Sequence, residues 1–167
     1  MIPWVSVARD LSIVGATCGV WWVDVSRTAP DGGARAAVAV AAGVLAALVG
    51  FVVHEWGHLA GSLITRSRVH FPNRVLAPLL FHFDVAHNDR RQFLWMSYGG
   101  YAGSAVGVAA IGALATLGTL SGRVALALAG VGTLVTLIAE VPTTLRVARG
   151  APLPDGYAFK APPQAGT

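Results

Sequence analysis

The sequence has a single cysteine, Cys18, which excludes an internal disulfide and any cysteine-based zinc site. In its apolar surroundings Cys18 reads as a small filler on a helix. Charge is scarce as well: 12% of the 167 residues are charged, where a soluble domain has roughly 25%. Most of the apolar segments lack the polar stripes that a water-soluble helical bundle turns to solvent, which argues against that class. Also missing is a basic stripe interleaved with aromatics, so the net charge of +4 and the isoelectric point near 10.0 do not point to nucleic acid. Lysine occurs once, at Lys160, amid a bias toward Ala, Gly, Val and Arg that suggests a GC-rich bacterial genome.

What the chain does have is long apolar runs, 54% hydrophobic residues and a mean hydropathy of +0.62. These mark an all-α integral membrane protein. Four spans can be drawn, at about 5–25, 35–64, 93–120 and 122–145. Each exceeds the ~20 residues that cross a ~30 Å hydrocarbon core, and the second is long enough to tilt. The first reads as a retained span rather than a cleaved signal peptide. Asp10 cancels the charge of Arg9, and Trp21-Trp22-Val23-Asp24 stands where small residues would be needed.

Arginine sets the orientation. Arg66, Arg68, Arg74, Arg90 and Arg91 follow the second span, and Arg146, Arg149 and Lys160 lie in the tail, against Arg27, Arg35 and Arg123 on the other side. The positive-inside rule then predicts a multi-pass cell-membrane protein with both termini and the long middle loop in the cytoplasm. Residues 1–150 read as one transmembrane domain, and 151–167, rich in Pro and Gly, as a flexible cytoplasmic tail.

Within the second span lies "FVVHEWGHLA", residues 51–60. Each ionisable group at bilayer depth costs roughly 2.5–3.5 kcal/mol, so three together call for pairing, water or an ion. His54, Glu55 and His58 form H-E-x-x-H. At helical spacing the two imidazoles share a face and can grip one metal ion, while Glu55 can reach a water on that metal as general base. A catalytic zinc usually takes a third protein ligand. Glu140, in "LVTLIAEVPTTL", is the other carboxylate at membrane depth. His58 lies about 12 Å along its helix from Arg66 and Glu140 about 9 Å from Arg146, so the depths agree. Pro142 should loosen the helix there and free a carbonyl. The competing reading pairs Glu140 with Arg146, and Asp155 in "PLPDG" is the rival ligand.

Between spans two and three, Phe81, Phe83 and Val85 alternate with His82 and Asp84, the period of a strand with one polar face. The expectation is a short re-entrant or β-like loop whose free edge could hold an extended peptide. His82 and Asp84 are candidate substrate contacts there, with Asp84 also a candidate partner for a ligating histidine. In the third span, Gly99, Gly103 and Gly107 form a small-residue face for close packing. Gly100 and Ser104 in "SYGGYAGS" are further candidate substrate contacts.

Taken together, His54, Glu55, His58, the helix around Gly99 to Gly107 and the acid at Glu140 resemble the site-2 protease family of intramembrane zinc metalloproteases. The resemblance covers roughly residues 35–150. It implies one zinc held by His54, His58 and Glu140, Glu55 as catalytic base, and a substrate that is a membrane protein or membrane-proximal peptide. The family's Asp-Gly segment is replaced here by Glu140-Val141-Pro142, and its Gly-Pro-x-x-Asn segment by "SYGGYAGS". Two other readings stay open: a non-catalytic, metal-binding subunit or scaffold of a membrane complex, and a di-iron type oxidase or hydroxylase that recruits His70, His82 and His87.

Overall fold

The computed structural model describes residues 4–26, 32–72, 77 and 79–155. Arg27, Arg74, Lys160 and residues 156–167 of the tail, on which part of the topology reading rests, lie outside the described residues. The elements run α1 (Trp4–Val25), α2 (Gly33–Ile64), β1 (Val69–His70), β2 (His82–Phe83), α3 (Arg90–Leu114), α4 (Leu120–Ala139) and α5 (Val141–Ala148). The protein is thus mostly helical. Two stretches, Gly33–Ile64 and Leu120–Ala148, are long and apolar enough to cross a membrane.

Boundaries follow local chemistry. α3 begins before the expected residue 93 because Asp89 caps it: its carboxylate accepts from the Gln92 N–H, and the Gln92 side chain accepts from the Asp89 N–H. It stops at Leu114, and Thr119 opens α4 by accepting from the Gly122 N–H. The expected single run at 122–145 is interrupted at Glu140, which closes α4 and precedes α5. Pro142 has no N–H to continue the ladder, and the helix breaks two residues before it, at Glu140. Where the alternation predicted a strand, a hairpin of two-residue strands stands, with Val69 opposite Phe83 and His70 opposite His82.

α2 and α3 pack at backbone contact. A Cβ on Gly57 would collide with the Gly99 carbonyl, and one on Gly61 with the Trp95 carbonyl. Only glycine permits this approach, the close crossing that small residues give helices in lipid. Below the crossing, Leu59, Leu80, Phe81, Phe83, Phe93, Met96 and Val147 form the buried cluster, with Phe83 and Phe93 edge to face at 6.0 Å. Leu153 packs against this cluster, so the chain beyond α5 lies against the body at least that far.

Contacts at the helix ends set the arrangement. Arg9 at the start of α1 donates to the Ala77 carbonyl, and Arg90 at the start of α3 donates to the Ala148 carbonyl at the end of α5. At the far end, Ser121 Oγ donates to Asp24 Oδ2 at 2.6 Å, joining α1 to the start of α4. The hairpin, the start of α1 and the end of α5 therefore share one end of the bundle.

Candidate metal centre

His54 and His58 sit one turn apart on α2 and face α3. The His54 Nδ1–H donates to the Gly100 carbonyl at 3.0 Å, with Ser104 Oγ 2.8 Å from the same nitrogen. The His58 Nδ1–H donates to the Met96 carbonyl at 3.0 Å. A carbonyl can only accept, so both Nδ1 atoms carry the proton and both Nε2 atoms present lone pairs. Those lone pairs converge. The two Nε2 atoms are 3.0 Å apart, and Glu140 brings Oε1 to 3.2 Å from His54 Nε2 and Oε2 to 3.5 Å from His58 Nε2.

Three electron-rich atoms this close repel one another unless a cation lies among them. Glu140 Oε2 is buried and has no hydrogen-bond partner among the described residues, an atom that asks for one. Metal–nitrogen and metal–oxygen bonds of ~2.0–2.2 Å in a tetrahedron separate ligands by about 3.3 Å, and the observed spacings of 3.0, 3.2 and 3.5 Å bracket that value. His54, His58 and Glu140 form a group that could hold a metal ion, and they are the one such group among the described residues. Imidazole with one carboxylate suits a transition metal rather than magnesium or calcium.

The break at Glu140 helps to place this ligand. Its backbone is helical, with φ −103° and ψ −40°, but the ladder around it is relaxed by Pro142, and Thr144 on the next turn bonds Tyr101 of α3 at 2.7 Å. Gly100 serves twice. Its carbonyl orients His54, and a Cβ on it would overlap the His58 ring. The structure therefore puts Gly100 and Ser104 behind the histidines, as groups that fix ring orientation.

Glu55 is not among the three ligand-bearing residues. It lines a cavity of about 280 Å³ together with His58, Glu140, Phe81, Phe83 and Met96, and its Oε2 accepts from the Leu80 N–H at 3.1 Å. Pro154 also lines this cavity. Of the alternating residues in the hairpin, Phe81 and Phe83 face the cavity, whereas His82 and Asp84 are not among its lining. Asp84 is buried and accepts from His70 Nε2 and His87 Nδ1, both at 2.9 Å, so these three residues form a separate cluster. His70 and His87 hold Asp84 strongly enough to bring its pKa down to about 2. Asp155 does not join the group that could hold a metal ion.

The site also uses residues the motif does not reveal. Leu80 and Met96 act through backbone atoms, which leave no trace in side-chain pattern. Gly57 and Gly61, at the i, i+4 spacing that matches Gly99 and Gly103, were the available signal for the close crossing. Comparison with protein-family models, with curated proteins and with solved structures returns no match. The functional reading therefore rests on geometry and on the motif.

Proposed function

We propose that the chain is a membrane-embedded zinc metalloprotease of site-2 protease type, acting on peptide bonds in transmembrane or membrane-proximal segments. One observation carries the reading: His54, His58 and Glu140 point three lone-pair donors at a single spot, and Glu55 lines the same cavity as His58 and Glu140, whose remaining walls are largely apolar, with Ser97, Thr143 and Thr144 the polar exceptions. Zinc bound there would supply a Lewis acid that polarises a carbonyl and acidifies water. His54 and His58 would hold it through Nε2, with Gly100, Ser104 and Met96 keeping both rings in the required tautomer. Glu55 would take the proton of the attacking water and pass it to the leaving amine. Phe81, Phe83 and Phe93 would accept apolar side chains of the substrate and exclude bulk water.

The membrane setting belongs to the same proposal. α1 and α3 would span beside the two apolar stretches, giving four spans. Trp22 at 70% exposure, Val106 at 61% and Leu114 at 75% support this, because such a surface is a liability in water and natural in lipid. Both termini and the hairpin would face the cytoplasm, with the hairpin dipping toward the bilayer. Reporter fusions after Arg66 and at the C-terminus should both report cytoplasm, and one near Gly32 the exterior; an external hairpin reverses the orientation.

The deciding experiment is Glu55→Gln in cells and in purified protein. Metal analysis should find about one zinc per chain in both forms, and membrane-protein fragments present in wild-type cells should disappear in the variant. Two irons per chain would favour an oxidase. Unchanged fragments with zinc retained would leave a metal-binding scaffold.

A further inference from the structure

The Glu55 side of α2 is completed by α1. Asp10, 5% exposed, accepts from Trp56 Nε1 at 2.7 Å and from Arg9 Nε at 2.7 Å. Arg9 Nη1 donates to the Ala77 carbonyl at 3.2 Å, and Leu80, three residues on, donates its N–H to Glu55 Oε2 at 3.1 Å. Glu55 and Trp56 are neighbours on α2, so the contacts close a ring: Asp10, Trp56, Glu55, Leu80, Ala77, Arg9 and back to Asp10. Five of its six residues, Arg9, Asp10, Glu55, Ala77 and Leu80, also line a second cavity of about 230 Å³. Leu79 and Phe81, on either side of Leu80, line the metal-side cavity instead. The chain around Leu80 is thus a partition, with the metal site on one side and the α1 ring on the other.

We propose that Arg9 and Asp10 are positioning residues for Glu55, acting through this partition. One oxygen of the Glu55 carboxylate is fixed by a backbone N–H, and that N–H stays in place because Arg9 holds the Ala77 carbonyl and Asp10 holds Arg9. A buried carboxylate on an apolar helix is retained only where it is paired, and Asp10 spends its two oxygens on the two arms of the ring. α1 has a second, independent tie at its other end, Asp24 to Ser121, which lies 14 residues or about 21 Å along the helix. That tie can be cut without touching the ring.

The role of the ring is independent of whether Glu55 is a base; that it serves catalysis rests on the protease reading above. The test uses the full chain in lipid nanodiscs and follows amide hydrogen exchange at Leu80. Glu55→Ala calibrates the loss of the acceptor. Asp10→Ala and Arg9→Ala should each raise exchange at Leu80 about fivefold or more, while Ser121→Ala should not. Zinc content should stay at wild type in all three, because the ligands lie on the other side of the partition. Arg9→Lys, which keeps a cation able to reach both Asp10 and Ala77, should restore much of the protection, whereas Arg9→Met, which keeps an aliphatic stem without the charge, should not. Should Asp10→Ala fail to fold, Trp56→Phe cuts the other arm of the ring while keeping an aromatic ring, and should loosen Leu80 in the same way. Unchanged exchange at Leu80 in the ring variants, or equal loosening by Ser121→Ala, overturns the proposal. Loss of the protease reading shows separately, as unaltered cleavage in Glu55→Gln.

Discussion

The two sides of α2 are built on different principles. On the side of His54 and His58, the partners come from α3 and from Glu140 at the break between α4 and α5, and helical spacing brings the groups together. On the side of Glu55 and Trp56, the partners are a backbone N–H at Leu80 and a carboxylate at Asp10, the latter 46 positions away. The first side is rigid because glycines let two helices touch. The second is held by a few polar contacts between α1 and a non-helical connection. A metal needs ligands fixed to within a few tenths of an ångström, which helices supply. Glu55, by contrast, has one carboxylate oxygen held by a backbone N–H and the other left uncommitted to that bond.

The sharpest test of this division is removal of the ligands. His54→Ala with His58→Ala should abolish zinc binding, since one carboxylate does not hold the ion. Glu140→Ala should weaken affinity by several powers of ten while leaving α2 folded, as judged by circular dichroism. Leu80 should keep its exchange protection in both cases, because its acceptor is Glu55. Simultaneous loss of zinc and of Leu80 protection would mean that the two sides are not separable.

The grouping of His54, His58 and Glu140 was legible in the sequence. H-E-x-x-H at i, i+4 spacing puts two imidazoles on one face, and Glu140 stood out as the carboxylate that could join them. Pro142 announced a weakened helix, and the break indeed falls at Glu140. The hairpin was half legible: alternation separated Phe81 and Phe83 from His82 and Asp84, but a period of two does not say which face meets the cavity. The Glu55 side was not legible at all. A backbone donor has no letter of its own, and the Arg9–Asp10 pair read only as cancelled charge until Trp56 and Ala77 were seen beside it.

A smaller effect probes the packing beneath the ligands. Gly100→Ala places a methyl where the His58 ring lies, so the ring must turn and its Nδ1–H must leave the Met96 carbonyl. Zinc affinity should fall about 10–100-fold, as for loss of an orienting partner. Gly57→Ala meets the Gly99 backbone instead, and should cost about 1–3 kcal/mol in stability with a milder effect on zinc. Chemical denaturation in detergent and zinc competition titrations separate the two. Equal effects of both substitutions on zinc would show that the rings are oriented by helix spacing alone.

The smallest expected effect lies farthest from the metal, in the hairpin. The Asp84 carboxyl is held down to about 2, first by the hydrogen bond from His70 and then by His87, against burial that alone would raise it. A carboxyl depressed in the folded state adds stability that is complete above its unfolded value of about 3.9 and is lost as the pH falls through about 2. The Tm of metal-free protein should therefore decline between pH 4 and pH 2 in part through this group. Asp84→Asn cannot ionise, so its curve should be flatter, lie below wild type by on the order of a few degrees at pH 5, and meet it near pH 2. Parallel curves over that range would mean that the His70–Asp84–His87 cluster contributes no charge-dependent stability. The hairpin would then owe its place to Phe81 and Phe83 in the buried cluster, and the polar face of the alternation would be passive.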